Sequence, residues 1–434
     1  MERYLVISSD THAGPPAEVF RDYMDPDFRE TYDQALAAQA EARKDIRNQS
    51  GLTVRFGKPR AKEITAPFLE SERVKSEGQH GAWDPVVRER EMDRDGVAAE
   101  IIFPIPQEPG AAPPFGAAIV AHSTTSLRGD TPYDKQYAGA RAYNRWLADM
   151  CSHDPDRHGG AIICPMHDIE AALTEIRRAR ESGVSGGLLL PVVGWATTEV
   201  ESMYYHPRFE PVWELCEELD LPLLTHPLVS GIDHGDFGSK YAMESAEVFS
   251  PAHRPLWFLL LSGVFERHPK LTLTITEAGG SWMPNMMFRF DDIYVNKKGQ
   301  ELRETISRKP SEVWAEHGFI GASPPGGRLE VEQRDQIGVG NIIWGSDYPH
   351  FEGTWPYVRE RMKAMFAGVP EDETRLMLGE NGFRAFNFDR KKLAAIAERI
   401  GPKVSELDAV EPTGSVEYLK LWVDREALAD LAKS

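Results

Sequence analysis

Four short stretches of this sequence end in residues that bind cations or move protons. They are Asp10-Thr11-His12, Thr225-His226-Pro227, Thr276-Glu277-Ala278-Gly279-Gly280 and Gly345-Ser346-Asp347-Tyr348-Pro349-His350. Carboxylates and imidazoles supply the oxygen and nitrogen donors that a divalent cation takes. Alternate residues of an extended chain point to one side, so Asp10 and His12 project together. Each stretch is commonplace by itself. Jointly they suggest a metal site of Asp10, His12, His226, Glu277 and Asp347, if one fold gathers segments from both ends of the chain. Two histidines with three carboxylates suit iron or manganese at least as well as zinc, as one ion or two.

The elements that carry these residues read as alternating strands and helices. Apolar, β-rich runs recur at Tyr4–Ser9, Ala98–Pro104, Gly160–Pro165, Gly187–Pro191, Pro222–Thr225, Leu271–Thr276, Gly318–Ala322 and Asn341–Gly345. Most are continuous rather than alternating, as expected of strands covered on both faces. Helical periodicity appears at Tyr137–Met150, Ile169–Ser182, Pro207–Leu219, His253–Arg267 and Gly327–Gln336. Eight strands with intervening helices predict an α/β fold, a (β/α)8 TIM barrel, whose catalytic residues sit at the C-terminal strand ends. A doubly wound open sheet would be expected to carry a glycine-rich phosphate loop after its first strand, and SSDTHAGPP is not one.

The barrel is assigned to residues 1–389 and a helical tail to 390–434. Three stretches exceed what a barrel requires: Pro15–Asp84 after strand one, Pro106–Asp134 after strand two, and Gly231–Ser250 after strand five. All leave the strand ends where a site would lie, which makes them candidate lids and substrate walls.

Composition narrows the partners. The 434 residues hold 49 basic against 68 acidic side chains, a net charge of −19, with 41% apolar residues. That profile is of a well-cored enzyme-sized chain, and it argues against nucleic acid or an anionic membrane surface as partner. The longest apolar run, Pro255–Phe265, is far short of the roughly 20 residues of a membrane span. The chain start shows no signal-peptide pattern, and three cysteines without a CxxC pair read as small buried apolar residues in a reducing compartment, so a cytoplasmic protein is expected.

In order and spacing the sequence resembles the amidohydrolase-related family, in the branch with aminocarboxymuconate semialdehyde decarboxylase and γ-resorcylate decarboxylase. The resemblance runs from Tyr4 to about Asp389. It is carried by Asp10-x-His12, Met92-Asp93-Arg94-Asp95-Gly96-Val97, the helix before Gly159-Gly160, Leu221-Pro222-Leu223-Leu224-Thr225-His226-Pro227, Gly279-Gly280 with Pro284 and Arg289, Gly345-Ser346-Asp347-Tyr348-Pro349, and Gly379-Glu380-Asn381-Gly382. It implies a metal-dependent barrel in which Asp10, His12, His226 and Asp347 hold a divalent ion (zinc, manganese or iron), and it favours a homodimer or higher oligomer. One position departs from the pattern. The family usually has a histidine at the end of strand six, and here that place holds Glu277.

Three activities fit these residues. Hydrolysis by metal-activated water ranks first, with Asp347 as general base and Glu277 as proton carrier or ligand. Oxygenation at one or two non-haem irons is second, and non-oxidative decarboxylation follows, weakened by the missing imidazole. A metal-stabilised binding protein is the non-enzymatic rival, distinguished by a closed coordination sphere. Around the core set, His350 could reach substrate or a second metal, or lie at the surface. His234 and His253 flank the strand-five excursion, His122 lies in the strand-two loop, and Arg289 could pair with a substrate carboxylate or a structural partner. Phe103, Phe115, Trp195, Phe237, Trp282, Phe351 and Trp355 sit beside strand ends and suggest an apolar pocket for a small hydrophobic or cyclic substrate.

Overall fold

The computed structural model describes residues 2–45, 68, 71–105, 112–116, 120–121, 131–193, 199–227, 240–323 and 327–407. Eight parallel strands form one sheet in chain order: β1 (Ile7–His12), β2 (Ala99–Phe103), β3 (His158–Ile163), β4 (Gly187–Leu189), β5 (Leu223–Thr225), β6 (Leu273–Thr276), β7 (Gly318–Ala322) and β8 (Ile342–Trp344). Their apolar residues, among them Ile101, Ile162, Leu224 and Ile343, are fully buried. This is the both-faces-covered environment that the continuous apolar runs require. The architecture is the expected (β/α)8 barrel.

Closure between β8 and β1 concerns the site directly. Thr11 and Tyr348 form a parallel bridge. The His12 amide donates to the Tyr348 carbonyl at 2.6 Å and the Asp347 amide to the Asp10 carbonyl at 2.9 Å. Three of the candidate ligands are thus stitched together by backbone. Gly345 makes the approach possible, because a Cβ there would lie 2.9 Å from the Asp10 Cβ and 2.1 Å from the Ser323 hydroxyl.

The first strand lies later in the chain than its apolar residues suggest. Sequence places it at Tyr4–Ser9, whereas the ladder runs Ile7–His12, so Asp10 and His12 are within the strand. Its polar side chains are satisfied locally: Ser8 Oγ donates to the Asp10 carbonyl at 2.8 Å and Thr11 Oγ1 to that of Ile101 at 2.8 Å. The register against β2 slips between Ser8 and Thr11, a bulge of the kind that re-aims side chains near active sites.

Two helices read as continuous are broken. His253–Arg267 divides into Ser250–Leu261 and Val264–Arg267 around the left-handed Gly263 (φ 72°), and Gly327–Gln336 into Arg328–Glu332 and Arg334–Ile337. The long excursion after β1 contributes the helix Arg29–Asp45, and beyond the barrel lie Arg390–Ile400 and Val404–Leu407. His122, Trp195, His234 and Phe237 lie outside the described residues, as does 408–434. No helix among the described residues is long and apolar enough to cross a membrane. All three cysteines are buried free thiols.

A buried ion network holds the end of β1 from outside the barrel. Arg88, fully buried on the helix Pro85–Asp95, makes a fork with Glu100 of β2 at 2.5 and 3.0 Å. Its other donors reach the carbonyls of His12 and Gly81, each at 3.0 Å, and Thr11 Oγ1 at 2.8 Å. Glu100 also meets His158 Nδ1 at 2.8 Å. Burial works against the Glu100 charge, yet Arg88 and His158 hold its carboxyl down at about 2. That stability is present above the unfolded value and is lost as pH falls toward the folded one. Glu100→Gln should strand the Arg88 charge and cost about 3–5 kcal/mol, read by thermal or denaturant unfolding. A loss within about 0.5 kcal/mol, as for an ordinary surface change, would contradict this.

Candidate metal centre

Seven side chains with donor atoms meet at the C-terminal mouth of the barrel. Asp10 and His12 come from β1, His226 follows β5, Glu277 follows β6, and Asp347, His350 and Glu352 follow β8. They fall into three overlapping groups, each with ligand atoms within 4.8 Å of one another: Asp10, His12, His226 and Glu277; His12, Asp347 and His350; Glu277, Asp347 and Glu352.

Each imidazole is oriented by a backbone carbonyl. His12 Nδ1 donates to Pro104 O at 2.7 Å, His226 Nδ1 to Pro227 O at 2.8 Å, and His350 Nε2 to Ile105 O at 3.0 Å. This leaves the second nitrogen of each ring facing the cluster, free to bind a cation once it gives up any proton, the arrangement that fixes direction in metal-binding histidines. His12 Nε2 lies 3.5 Å from Asp10 Oδ1 and 3.3 Å from Asp347 Oδ1. His226 Nε2 lies 3.0 Å from Glu277 Oε2 and 3.7 Å from Asp10 Oδ1. His350 Nδ1 is 2.9 Å from Asp347 Oδ1. Ligands bonded at about 2.1 Å to one ion lie about 3.0 Å apart on an octahedral edge and about 3.4 Å on a tetrahedral one; the 3.0 and 3.3 Å spacings fall in that range, and those of 2.9, 3.5 and 3.7 Å lie just outside it.

The polar accounting also points to a cation. Both carboxylate oxygens of Asp10 and of Asp347, His12 Nε2, His226 Nε2 and His350 Nδ1 are buried without a hydrogen-bond partner. Buried acceptors without donors are costly, and here they converge. The residues present therefore fit a divalent ion. Backbone strain is located at the same place: Glu277 and Asp347 hold left-handed conformations at φ 55° and 54°, and Ile105 at φ 66°. Such conformations cost on the order of 1–3 kcal/mol each and persist where the surroundings impose them.

The titration pattern has the same origin. Burial, and then the His350 charge, drive His12 well below its ordinary value. Burial also opposes charge on His226, but contact with Asp10 and Glu277 pushes it up to about 10. Burial and the adjacent Asp347 charge push Glu277 up to about 8. Without a cation the cluster takes up protons to offset its carboxylates.

The remaining sequence-selected residues divide. His253 Nε2 donates to the Ala278 carbonyl at 2.8 Å, and its ring stacks on Trp282 at 3.9 Å, so both shape the turn that carries Glu277. Phe103 flanks the cluster, 5.0 Å from the His226 ring. Arg289 does not join it; it is exposed on the helix Met283–Val295. Trp355 is fully buried, donates to Glu91 at 2.7 Å and packs edge-on to Phe68 and Tyr348, so it serves packing rather than the cluster. Phe115 packs edge-on to Tyr32, and Phe351 is half-buried. Sequence reading did not single out Glu352, Arg88, Glu100 or Ile105. Glu352 follows His350 by two residues, and that spacing was the available signal.

Fold and cluster together define a (β/α)8 barrel with a candidate divalent-metal site at its C-terminal mouth. A family model for amidohydrolases matches residues 10–388, and the chain belongs to that family. It is 34% identical over 164 residues to a gamma-resorcylate decarboxylase of Rhodococcus jostii strain RHA1, covering 35% of this chain and 48% of that protein. It is 28% identical over 204 residues to a 2-amino-3-carboxymuconate-6-semialdehyde decarboxylase of Dictyostelium discoideum, covering 46% and 49%. The chain thus spans about half the length of these curated relatives. Among solved structures it is similar to a 5-carboxyvanillate decarboxylase of Novosphingobium aromaticivorans complexed with manganese and 4-hydroxy-3-methoxy-5-nitrobenzoic acid. That likeness has a TM-score of 0.55 at 19% identity and covers 89% of this chain and 97% of the other.

If a cation replaces the cluster's protons, binding must release them. Titration of the metal-free protein with Mn(II) in two buffers of different ionisation heat should show at least one proton released per cation near pH 7. Apparent affinity should strengthen as pH rises. A heat independent of buffer would contradict the arrangement.

Proposed function

We propose that this enzyme is a divalent-metal-dependent non-oxidative decarboxylase. Its substrate would be a small unsaturated or aromatic carboxylic acid with an oxygen or nitrogen substituent near the carboxylate. The substrate class follows from the named activities of the relatives, and it displaces hydrolysis, the first expectation from sequence. The carrying observation is the uneven exposure of the cluster. Asp10, His12 and Asp347 side chains are 0–3% exposed, whereas His226, Glu277 and His350 are 10–13% exposed. The less buried members mark where substrate would approach, and Glu277 is among them.

Asp10, His12, His226 and Asp347 would hold the ion. A bound divalent cation supplies Lewis-acid polarisation of the substrate's oxygens. Glu277, in place of the family's usual histidine, would carry the proton. In the reaction the proton passes from the Glu277 carboxyl to the carbon bearing the carboxylate. The bond from that carbon to the carboxylate then breaks, its electron pair stays with the carbon, and CO2 leaves; solvent returns a proton to Glu277. The Phe103 ring beside His226 gives the substrate an apolar flank, and exclusion of water there favours conversion of a charged carboxylate into neutral CO2.

Glu277→Gln cannot supply the proton. It should lower CO2 release by about 10²–10⁴-fold while the protein still binds manganese, measured by CO2 evolution and elemental analysis. Absence of CO2 release by manganese-loaded protein from hydroxybenzoate- and aminomuconate-type acids would refute the reading. A second reading, oxidation by dioxygen at iron, is favoured by one observation: Glu277 adds a carboxylate to a two-histidine site. In that case protein loaded with Fe(II) without oxygen should gain a new visible or near-ultraviolet absorption when air is admitted. An unchanged spectrum argues against it.

A further inference from the structure

We propose that the centre contains a second cation position at Asp347, where the group that holds His350 meets the group that holds Glu352 and Glu277, with Glu277 shared with the first position. The inference rests on the cluster being a cation centre and asks how many ions it takes.

Donor count comes first. Seven side chains converge, whereas a first-row divalent ion takes four to about six ligands and a catalytic one leaves a place for substrate. One ion cannot use them all. Ligand chemistry then divides the set. The single bare nitrogen of His12 can serve only one ion. A carboxylate has two oxygens and can serve two, and Glu277 belongs both to the group with Asp10, His12 and His226 and to the group with Asp347 and Glu352.

Two of its donors, Asp347 and His350 Nδ1, are buried and lack a hydrogen-bond partner. Asp347 is fully buried and neither of its oxygens has a hydrogen-bond partner. His350 is turned toward it by the Ile105 carbonyl, presented from a left-handed backbone, so that His350 Nδ1 stands 2.9 Å from Asp347 Oδ1. The His350 ring also stacks on His12 at 4.0 Å, which places two cluster-facing nitrogens side by side on one carboxylate. Charge balance agrees. Asp10, Glu277, Asp347 and Glu352 bring four negative charges, which two divalent ions neutralise and one does not. Paired ions in such centres sit about 3.5–4 Å apart, a separation that one shared carboxylate spans. Filling the second position makes Glu277 a shared ligand, so decarboxylation through its proton belongs to the one-ion form.

The test is titration of the metal-free full chain with Mn(II), followed by elemental analysis and electron paramagnetic resonance. Wild type should reach two manganese per chain, with an uncoupled six-line signal at one equivalent and an exchange-coupled signal at two. His350→Ala and Glu352→Gln should each stop at one manganese with the six-line signal. Saturation of wild type at one ion would overturn the proposal, and so would two ions that persist in both variants. The wild-type signal alone decides the matter if a variant misfolds. Two coupled ions with no CO2 release at any loading would keep the second position and remove the decarboxylase reading. One ion with CO2 release would do the reverse.

Discussion

The constraint on which this structure turns is the burial of like charges without donors. Asp10 and Asp347 are fully enclosed, lie beside Glu277, and have no hydrogen-bond partner for their oxygens. Burying carboxylates side by side without donors is costly unless an opposite charge offsets them. Protons or cations must enter, and the raised Glu277 and His226 show the proton-loaded form of the answer. A cation would meet the same atoms, because the second nitrogen of each imidazole already faces them.

The barrel serves that constraint. Parallel strands place their C-terminal ends on one rim, and the β1–β8 closure ties Asp10, His12 and Asp347 through backbone hydrogen bonds. Arg88 braces the same strand end from behind, with Glu100 balancing its charge. Left-handed backbone at Glu277 and Asp347 turns their side chains into the mouth. The stability spent on strain and buried charge is repaid by a core of fully buried apolar strands, so the site is imposed by the fold rather than self-supporting.

How much of this was legible in sequence depended on the range of each interaction. The eight strands were readable because burial on both faces demands continuous apolar runs, and Asp10, His12, His226, Glu277 and Asp347 because their types stand at the ends of those runs. The start of β1 was misplaced, since Ser8 and Thr11 are polar and strand-forming only through partners on their own and neighbouring strands. Arg88 sits in a charged run, Val86-Val87-Arg88-Glu89-Arg90-Glu91, that reads as a solvated face; only its distant partner Glu100 reveals that it is buried. The exposure of Arg289 and the burial of Trp355 against Phe68 and Tyr348 are settled by long-range packing, which no local pattern encodes. Glu277 was the informative departure from the family pattern, and its position among the less buried members of the cluster gives that departure a chemical meaning.

The most direct test of the account is diffraction from manganese-soaked crystals at wavelengths on either side of the manganese edge. An anomalous peak within bonding distance of Asp10, His12 and His226, with their carbonyl-oriented rings unmoved, is the predicted result. No peak at the barrel mouth, with His226 instead hydrogen-bonded to Glu277 in the presence of excess manganese, would contradict the claim that these strand ends form a metal centre.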